Sequence, residues 1–168
     1  MHSIRLTIII LAISIAGAAN ATVWVFNDPV DASQVVPPTG ELATGTAVGT
    51  YDDVTNMLNI NVAVGVFNAI YPPTAAHIHR APFGANGGVF HVLGVAGGVN
   101  YTNPNTNFVL NAAQEVDFLN NLYYVQIHTS LNPGGAVRGQ LNPVPEPASL
   151  FALGIGALVL ARRRRRKA

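Results

Sequence analysis

The chain has 168 residues, contains no cysteine and carries a formal net charge of +1. Most of its basic residues lie near the two ends, and residues 22–143 between them contain two basic and seven acidic residues, a formal charge of −5. A segment this acidic lacks the basic surface that nucleic acid binding requires, so a nucleic acid partner is excluded. Without disulfides, the fold must be stabilised by apolar burial, alone or together with a bound ion.

Residues 1–21 have the layout of a secretory signal peptide. One basic residue, Arg5, precedes an apolar run, and small residues follow, with Ala19 and Ala21 at the cleavage-site positions. This layout predicts cleavage after Ala21 and export of the remaining chain across the inner membrane.

Residues 22–143 have the length of one domain. The clearest strand is at 58–64, where Leu58, Ile60, Val62 and Val64 alternate with small or polar residues. Further strands are predicted at residues 22–26, 47–51, 75–79, 88–93, 122–128 and 136–141. Turn residues at 52–56 and 132–135 predict hairpins, and the glycine-rich and asparagine-rich stretch 94–107 predicts a long loop.

A short helix interrupts this series of strands. Asn111 followed three residues later by Gln114 is typical of a helix N-terminus, and Val116, Phe118 and Leu119 form its apolar side. The whole pattern predicts an all-β fold, a single antiparallel β-sandwich of immunoglobulin-like or superoxide-dismutase-like type with one short helix. A signal peptide and a C-terminal hydrophobic helix flank this predicted domain.

Residues 144–168 form a second targeting segment. Pro145, Glu146 and Pro147 precede an apolar stretch at 148–161, which is short against the roughly 20 residues of a spanning helix and favours a transient membrane anchor. A basic block follows, made of Arg162, Arg163, Arg164, Arg165, Arg166 and Lys167. Basic residues directly after an apolar helix stay on the cytoplasmic side, so the preceding domain is expected outside.

This tail resembles the PEP-CTERM sorting signal. The resemblance implies that an exosortase-type membrane protease recognises and processes the tail. It also implies a precursor anchored in the inner membrane through the C-terminal helix and a final location at the cell surface or in an extracellular matrix. The alternative interpretation is an ordinary C-terminal anchor, since apolar and basic tails also occur on their own.

Several short motifs in the central domain occur in the order of the CHRD domain. They are QVVPP at 34–38 with Pro37 and Pro38, AAHIH at 75–79, YVQIHT at 124–129, and GAVRGQL at 135–141 with Arg138 and Gly139. The chain resembles this family, which is named from chordin and also occurs in secreted bacterial proteins. The resemblance implies an extracellular β-rich module but brings no established bacterial activity. Arg138 is expected to anchor a turn or to pair with an acid.

Two histidines one residue apart, His77 and His79, form the candidate metal site. In a strand they point to the same face about 7 Å apart, and imidazole nitrogens bind zinc at roughly 2.0 Å. His128 alternates in the same way in its own strand and completes a three-histidine site if the two strands are neighbours, with His91 as a further candidate. Copper and zinc are the candidate ions. The alternative is a structural role, with the imidazoles bonded to backbone carbonyls.

No catalytic residue is assigned, and the sequence favours a non-catalytic role. The first interpretation is a surface or matrix module that binds an exopolysaccharide or a matrix protein. The second is a histidine-based metal-binding domain with redox activity as an extension. The histidine pattern also resembles that of copper/zinc superoxide dismutase, but likeness at the level of the fold does not carry function.

Overall fold

A computed structural model describes residues 22–94 and 98–146. The predicted signal peptide and the apolar C-terminal stretch lie outside these residues. Within the described part of the chain, no helix is both long and apolar enough to cross a membrane.

The described residues form two antiparallel sheets that pack face to face, with one α-helix, so the predicted all-β sandwich is confirmed. The elements are β1 (Val23–Val30), β2 (Thr44–Asp52), β3 (Met57–Gly65), β4 (Pro73–Arg80), β5 (Gly88–Gly94), β6 (Tyr101–Val109), α1 (Ala112–Leu119), β7 (Tyr123–Thr129), β8 (Val137–Gln140) and β9 (Val144–Pro145), with a 3-10 turn at Ala32–Gln34. Sheet A has the strand order β6-β3-β2-β1-β9 and sheet B the order β5-β4-β7-β8.

The core lies between the sheets and is built from alternate residues of each strand. Leu58 and Ile60 from β3 and Ile78 from β4 are fully buried. The short helix α1 adds the fully buried Phe118, whose ring packs edge-on against Tyr51 with 5.5 Å between the centroids. Because successive strand residues point to opposite faces, this inward set leaves the intervening side chains of sheet B on its outer face.

β1 joins the two sheets. Beyond its pairing with β2, the chain at Asp31 exchanges two backbone hydrogen bonds with Arg138, of 3.0 and 2.9 Å. The buried carboxylate of Asp28 accepts two further hydrogen bonds from Asn142, of 2.8 and 2.9 Å. The first strand and the residue that follows it therefore hold both β8 and the chain directly after β8.

The predicted long loop at 94–107 is wrong over its second half, because β6 (Tyr101–Val109) pairs with β3. β6 lies at one edge of sheet A. An edge strand tolerates a proline such as Pro104, since one side of its backbone needs no partner. The register of the pair shifts between Ile60 and Val62. The proline and the asparagine-rich composition thus concealed a strand.

Pairing also continues into the segment assigned to the sorting tail. β9 lies beside β1, with Val144 opposite Val25 and Pro145 opposite Trp24. The sequence pattern did not predict this two-residue strand.

Candidate metal centre

The three candidate histidines lie on the outer face of sheet B, because β4 and β7 are neighbours in that sheet. His77 lies opposite Gln126, and His79 lies opposite Tyr124. His128 follows Gln126 by two residues, so its side chain emerges on the same face, diagonal to His77. The predicted three-histidine cluster required the two strands to be neighbours, and they are.

The three rings converge closely enough to share one ion. One nitrogen from each ring lies within 4.8 Å of the others, and His77 Nδ1 is 3.2 Å from His128 Nε2. Two imidazole nitrogens bound tetrahedrally at about 2.0 Å from one ion are about 3.3 Å apart. The closest pair already has this spacing, and the wider distances need to close by at most about 1.5 Å, which small side-chain rotations supply.

Backbone carbonyls determine which nitrogen of two of these rings is free. His128 Nδ1 lies 3.0 Å from the Pro133 carbonyl oxygen, and His79 Nδ1 lies 3.0 Å from that of Gly87. Since a carbonyl only accepts, this network assigns the proton of each ring to Nδ1 and the lone pair to Nε2. A hydrogen bond from the distal ring nitrogen is the usual device that orients a metal-ligating histidine.

The free nitrogen of His79 has no hydrogen-bond partner. His79 is 7% exposed, and its Nε2 atom is buried and unpaired. Leaving a buried polar group unsatisfied is unfavourable by about 1–3 kcal/mol. Among the described residues, Trp24 Nε1, Tyr123 Oη and Arg138 Nε are also buried without a partner, but of these four atoms only His79 Nε2 lies beside two further histidines. A bound ion would supply its missing partner.

Burial favours the neutral form of two of the three candidate histidines. It lowers the pKa of His79 and of His128, because removal from water disfavours the charged imidazolium. In both cases the hydrogen bond to the backbone carbonyl opposes this effect, and the neighbouring His77 adds to it. Both rings are therefore neutral at pH 7, which is the protonation state that metal coordination requires.

Arg138 supports His79 through a stacked ring. Its guanidinium lies 3.6 Å from the centroid of the Tyr124 ring, which also stacks on the His79 ring with 5.2 Å between the centroids. Its Nη1 and Nη2 atoms donate to the carbonyls of Ala85 and Pro82 at 2.7 and 3.1 Å. Arg138 is fully buried, and of the two roles expected for it, the structure shows the anchoring of a turn.

The turn held by Arg138 leads to the carbonyl that orients His79. The Gly87 N–H donates to the Tyr124 hydroxyl at 3.0 Å. A side chain at position 87 would collide with the backbone carbonyl of Arg80, so this close approach requires glycine. Gly87 and Pro133 act through their backbones, and no side-chain motif could have identified them. Tyr124, by contrast, lies within a motif that the sequence singled out.

His91 does not join the cluster. It pairs with Ile78, whose side chain lies in the core, and its ring stacks on Phe108 with 4.1 Å between the centroids. Directly opposite residues in an antiparallel pair share a face, so His91 points to the core side of sheet B. The register of β4 and β5 shifts at two places, and alternation within β5 alone could not reveal this.

The remaining family-motif positions have structural surroundings. Pro37 and Pro38 lie in an exposed loop after the 3-10 turn. Gly139 lies against β1, where an added Cβ atom would come within 2.7 Å of both the Pro29 carbonyl oxygen and a Val30 methyl carbon. Only glycine allows this approach of β8 to β1.

The predicted targeting residues lie mostly beyond the described ranges. Pro145 and Glu146 are described, at and just after β9. The signal cleavage residues and the rest of the tail lie outside the described residues; these are Ala19, Ala21, Pro147, Arg162, Arg163, Arg164, Arg165 and Arg166.

A family model of the CHRD domain matches residues 26–141, which include the histidine cluster and Arg138. The chain belongs to the CHRD domain family. A second model, that of the PEP-CTERM protein-sorting motif, matches residues 143–166 of this CHRD protein. Both resemblances predicted from the sequence are confirmed.

The sorting motif defines the route of this CHRD protein. It implies export, a membrane-anchored precursor, processing by an exosortase-type membrane enzyme and arrival at the cell surface. The protein is thus an extracellular protein sorted by that system. Comparison with curated proteins finds no significant match, and comparison with solved structures finds none either.

Proposed function

We propose that this CHRD domain binds one transition-metal ion, zinc or copper, through His77, His79 and His128 outside the cell. The observation that carries the proposal is the ring of His79. One of its nitrogens is held by the Gly87 carbonyl, and the other is buried without a partner, beside two more histidines. Imidazole ligands suit both zinc and copper.

A purely structural role explains part of this geometry. It accounts for the Nδ1 atoms of His79 and His128, which bond to carbonyls, and for the contact between His77 and His128. It gives no role to His79 Nε2. An apolar ring in that place would avoid an unsatisfied buried acceptor, whereas a metal ligand needs that lone pair.

We propose an open coordination position at this site. The cluster supplies three ligands, and within the described residues no carboxylate or further histidine belongs to it. A tetrahedral ion then takes its fourth ligand from water or from a molecule outside the chain, as ions with three protein ligands do. Bound copper would make redox chemistry available, so a redox activity is an extension of the proposed metal binding.

Elemental analysis of the purified mature protein tests the site. After loading with zinc or copper and removal of excess metal, we expect one ion per wild-type chain and none in the His77→Ala/His79→Ala double variant. Because the ion binds only the folded state, it should also raise the melting temperature, with a stabilisation of about 2.7 kcal/mol when free metal is 100 times the dissociation constant.

His91→Phe is the matched control, since it removes a histidine on the other face of the same sheet and keeps an aromatic ring against Phe108. It should bind metal as the wild type does. Equal metal contents in the double variant and the wild type would contradict the site.

At the cell surface we further propose a non-catalytic role in the extracellular matrix, with an exopolysaccharide or matrix protein as partner. The support is the sorting motif, which implies export and arrival at the cell surface. Deletion of the gene should then change biofilm cohesion, and the double histidine variant shows whether the metal contributes to that role. Normal biofilm in the deletion strain would contradict a matrix role.

A further inference from the structure

The first residues of the sorting motif belong to the folded domain. Val144 pairs with Val25 at the edge of sheet A. Two residues further along, the Glu146 N–H donates to the Val23 carbonyl oxygen at 2.8 Å. The motif model begins at residue 143, so the sorting sequence and the last strand of the domain overlap.

The proline of the motif fits this strand. In an antiparallel ladder, hydrogen-bonded and non-hydrogen-bonded pairs alternate. Glu146 bonds to Val23, so the next pair, Pro145 opposite Trp24, is a non-hydrogen-bonded one. A residue in such a pair directs its N–H away from the partner strand, and the missing N–H of proline removes no ladder bond.

The chain that leads into β9 is fixed as well. The backbone N–H and the side-chain amide of Asn142 donate to the buried carboxylate of Asp28 at 2.8 and 2.9 Å. The Leu141 N–H donates to the Tyr123 carbonyl at 2.9 Å. No free spacer therefore separates the fold from the sorting motif.

We propose that the exosortase-type enzyme processes a form of the protein in which residues 144–146 have detached from β1. While β9 is paired, the backbone groups on one of its edges are engaged and residues 144–146 lie against the sandwich. A two-residue strand detaches by local opening, without unfolding of the domain. The rate of processing is then proportional to the fraction of molecules in the detached form.

A removable cross-link tests this proposal in the full-length chain. Val25 and Val144 lie directly opposite each other, and the Cα atoms of such a pair are about 5.5 Å apart, within the range of a disulfide. The chain has no cysteine of its own, so Val25→Cys/Val144→Cys creates one defined disulfide after export. Neither substitution changes the Pro-Glu-Pro residues.

In a bacterium that carries the sorting system, pulse-chase labelling would follow the conversion of precursor to processed protein. We expect conversion of the oxidised double variant to slow by about tenfold or more, and to recover when a reductant is added. The single variants Val25→Cys and Val144→Cys control for the substitutions and should behave as the wild type.

An oxidised precursor that is processed at the wild-type rate would overturn the proposal, because the enzyme would then read the motif in its docked form. Failure of the two cysteines to cross-link would contradict the docking itself. Asn142→Ala provides the opposite change, since it removes a side-chain hydrogen bond to Asp28. It should speed processing, and slower processing would mean that docking presents the motif to the enzyme.

Discussion

Arg138 is the buried charge next to the histidine cluster. In addition to burial, its charge contributes to the lowered pKa of His79, and its contacts act on the cluster through other groups. It holds the carbonyls of Pro82 and Ala85 and stacks on Tyr124. These contacts fix the loop that brings the Gly87 carbonyl to His79. Arg138 is therefore a positioning residue for the proposed metal site.

Replacement of Arg138 by methionine should lower metal affinity by about 10–100-fold, the usual effect of removing a group that orients a ligand. Arg138→Lys should recover only part of this loss, because an ammonium lacks the planar fork that reaches two carbonyls. Competition titration with a chromophoric chelator measures the affinity. Nitrogen NMR of the metal-free His79 ring shows whether its tautomer is released. An unchanged affinity in the methionine variant would contradict the positioning role.

For single residues, the sequence predicts which side chains share a strand face better than it predicts the groups that surround them. The i, i+2 spacing of His77 and His79 and the alternation around His128 were enough to place the three on polar faces. The carbonyls of Gly87 and Pro133 could not be predicted, since they come from turns whose backbone conformation sets their direction. The inclusion of His91 as a candidate was wrong. Alternation shows which residues of one strand share a face, but whether that face points to the core depends on the pairing of β4 with β5, whose register is irregular.

Among the elements, the helix was the most predictable, because its signals are local. Asn111 and Gln114 form the expected capping box, with the Asn111 side chain accepting from the Gln114 N–H at 3.0 Å and the reciprocal bond at 2.9 Å. β6 and β9 were missed for the opposite reason. Both contain a proline, and both are edge strands, whose pairing depends on a distant partner.

The cap gives a prediction for α1. Asn111→Ala should lower the free energy of unfolding by about 1 kcal/mol, because the first helical N–H groups lose their acceptor. Urea denaturation followed by circular dichroism measures this change. Asn120→Ala, at the other end of the helix, removes one hydrogen bond to the Val116 carbonyl and should have the smaller effect. A larger effect for Asn120→Ala would contradict the assigned importance of the cap.

At the scale of the whole molecule, hydrogen bonds to nearby groups stabilise the ionised form of several acidic side chains. A serine hydroxyl lowers the pKa of Asp31, backbone N–H groups of its own turn lower that of Asp52, and the Arg80 guanidinium lowers that of Asp117. A carboxyl group with a pKa lowered in the folded state adds stability above its unfolded pKa, and this stability is lost as the pH falls further.

We therefore expect the melting temperature of the metal-free protein to fall as the pH drops below 6.5, because His79, His91 and His128 have lowered pKa values and resist protonation in the folded state. It should fall further below the ordinary carboxyl pKa of 3.8. Comparison of a carboxyl variant with the wild type at each pH separates the two contributions. Asp117→Asn removes the Arg80 ion pair and should reduce the slope below pH 4. A melting temperature that stays constant down to pH 2.5 would show that these hydrogen bonds do not contribute.

The pairing of β9 with β1 also brings the two ends of the described chain together. The Glu146 N–H donates to the Val23 carbonyl oxygen, so a short peptide linker could join the ends without crossing the sandwich. Domains with adjacent ends tolerate circular permutation when the new ends open in an exposed loop. The loop around Phe83 and Gly84 after β4 is exposed, but it supports His79. The segment at Ala69 and Ile70 before β4 is also exposed and does not support His79. A permutant opened there would retain the histidine cluster on an intact sheet B.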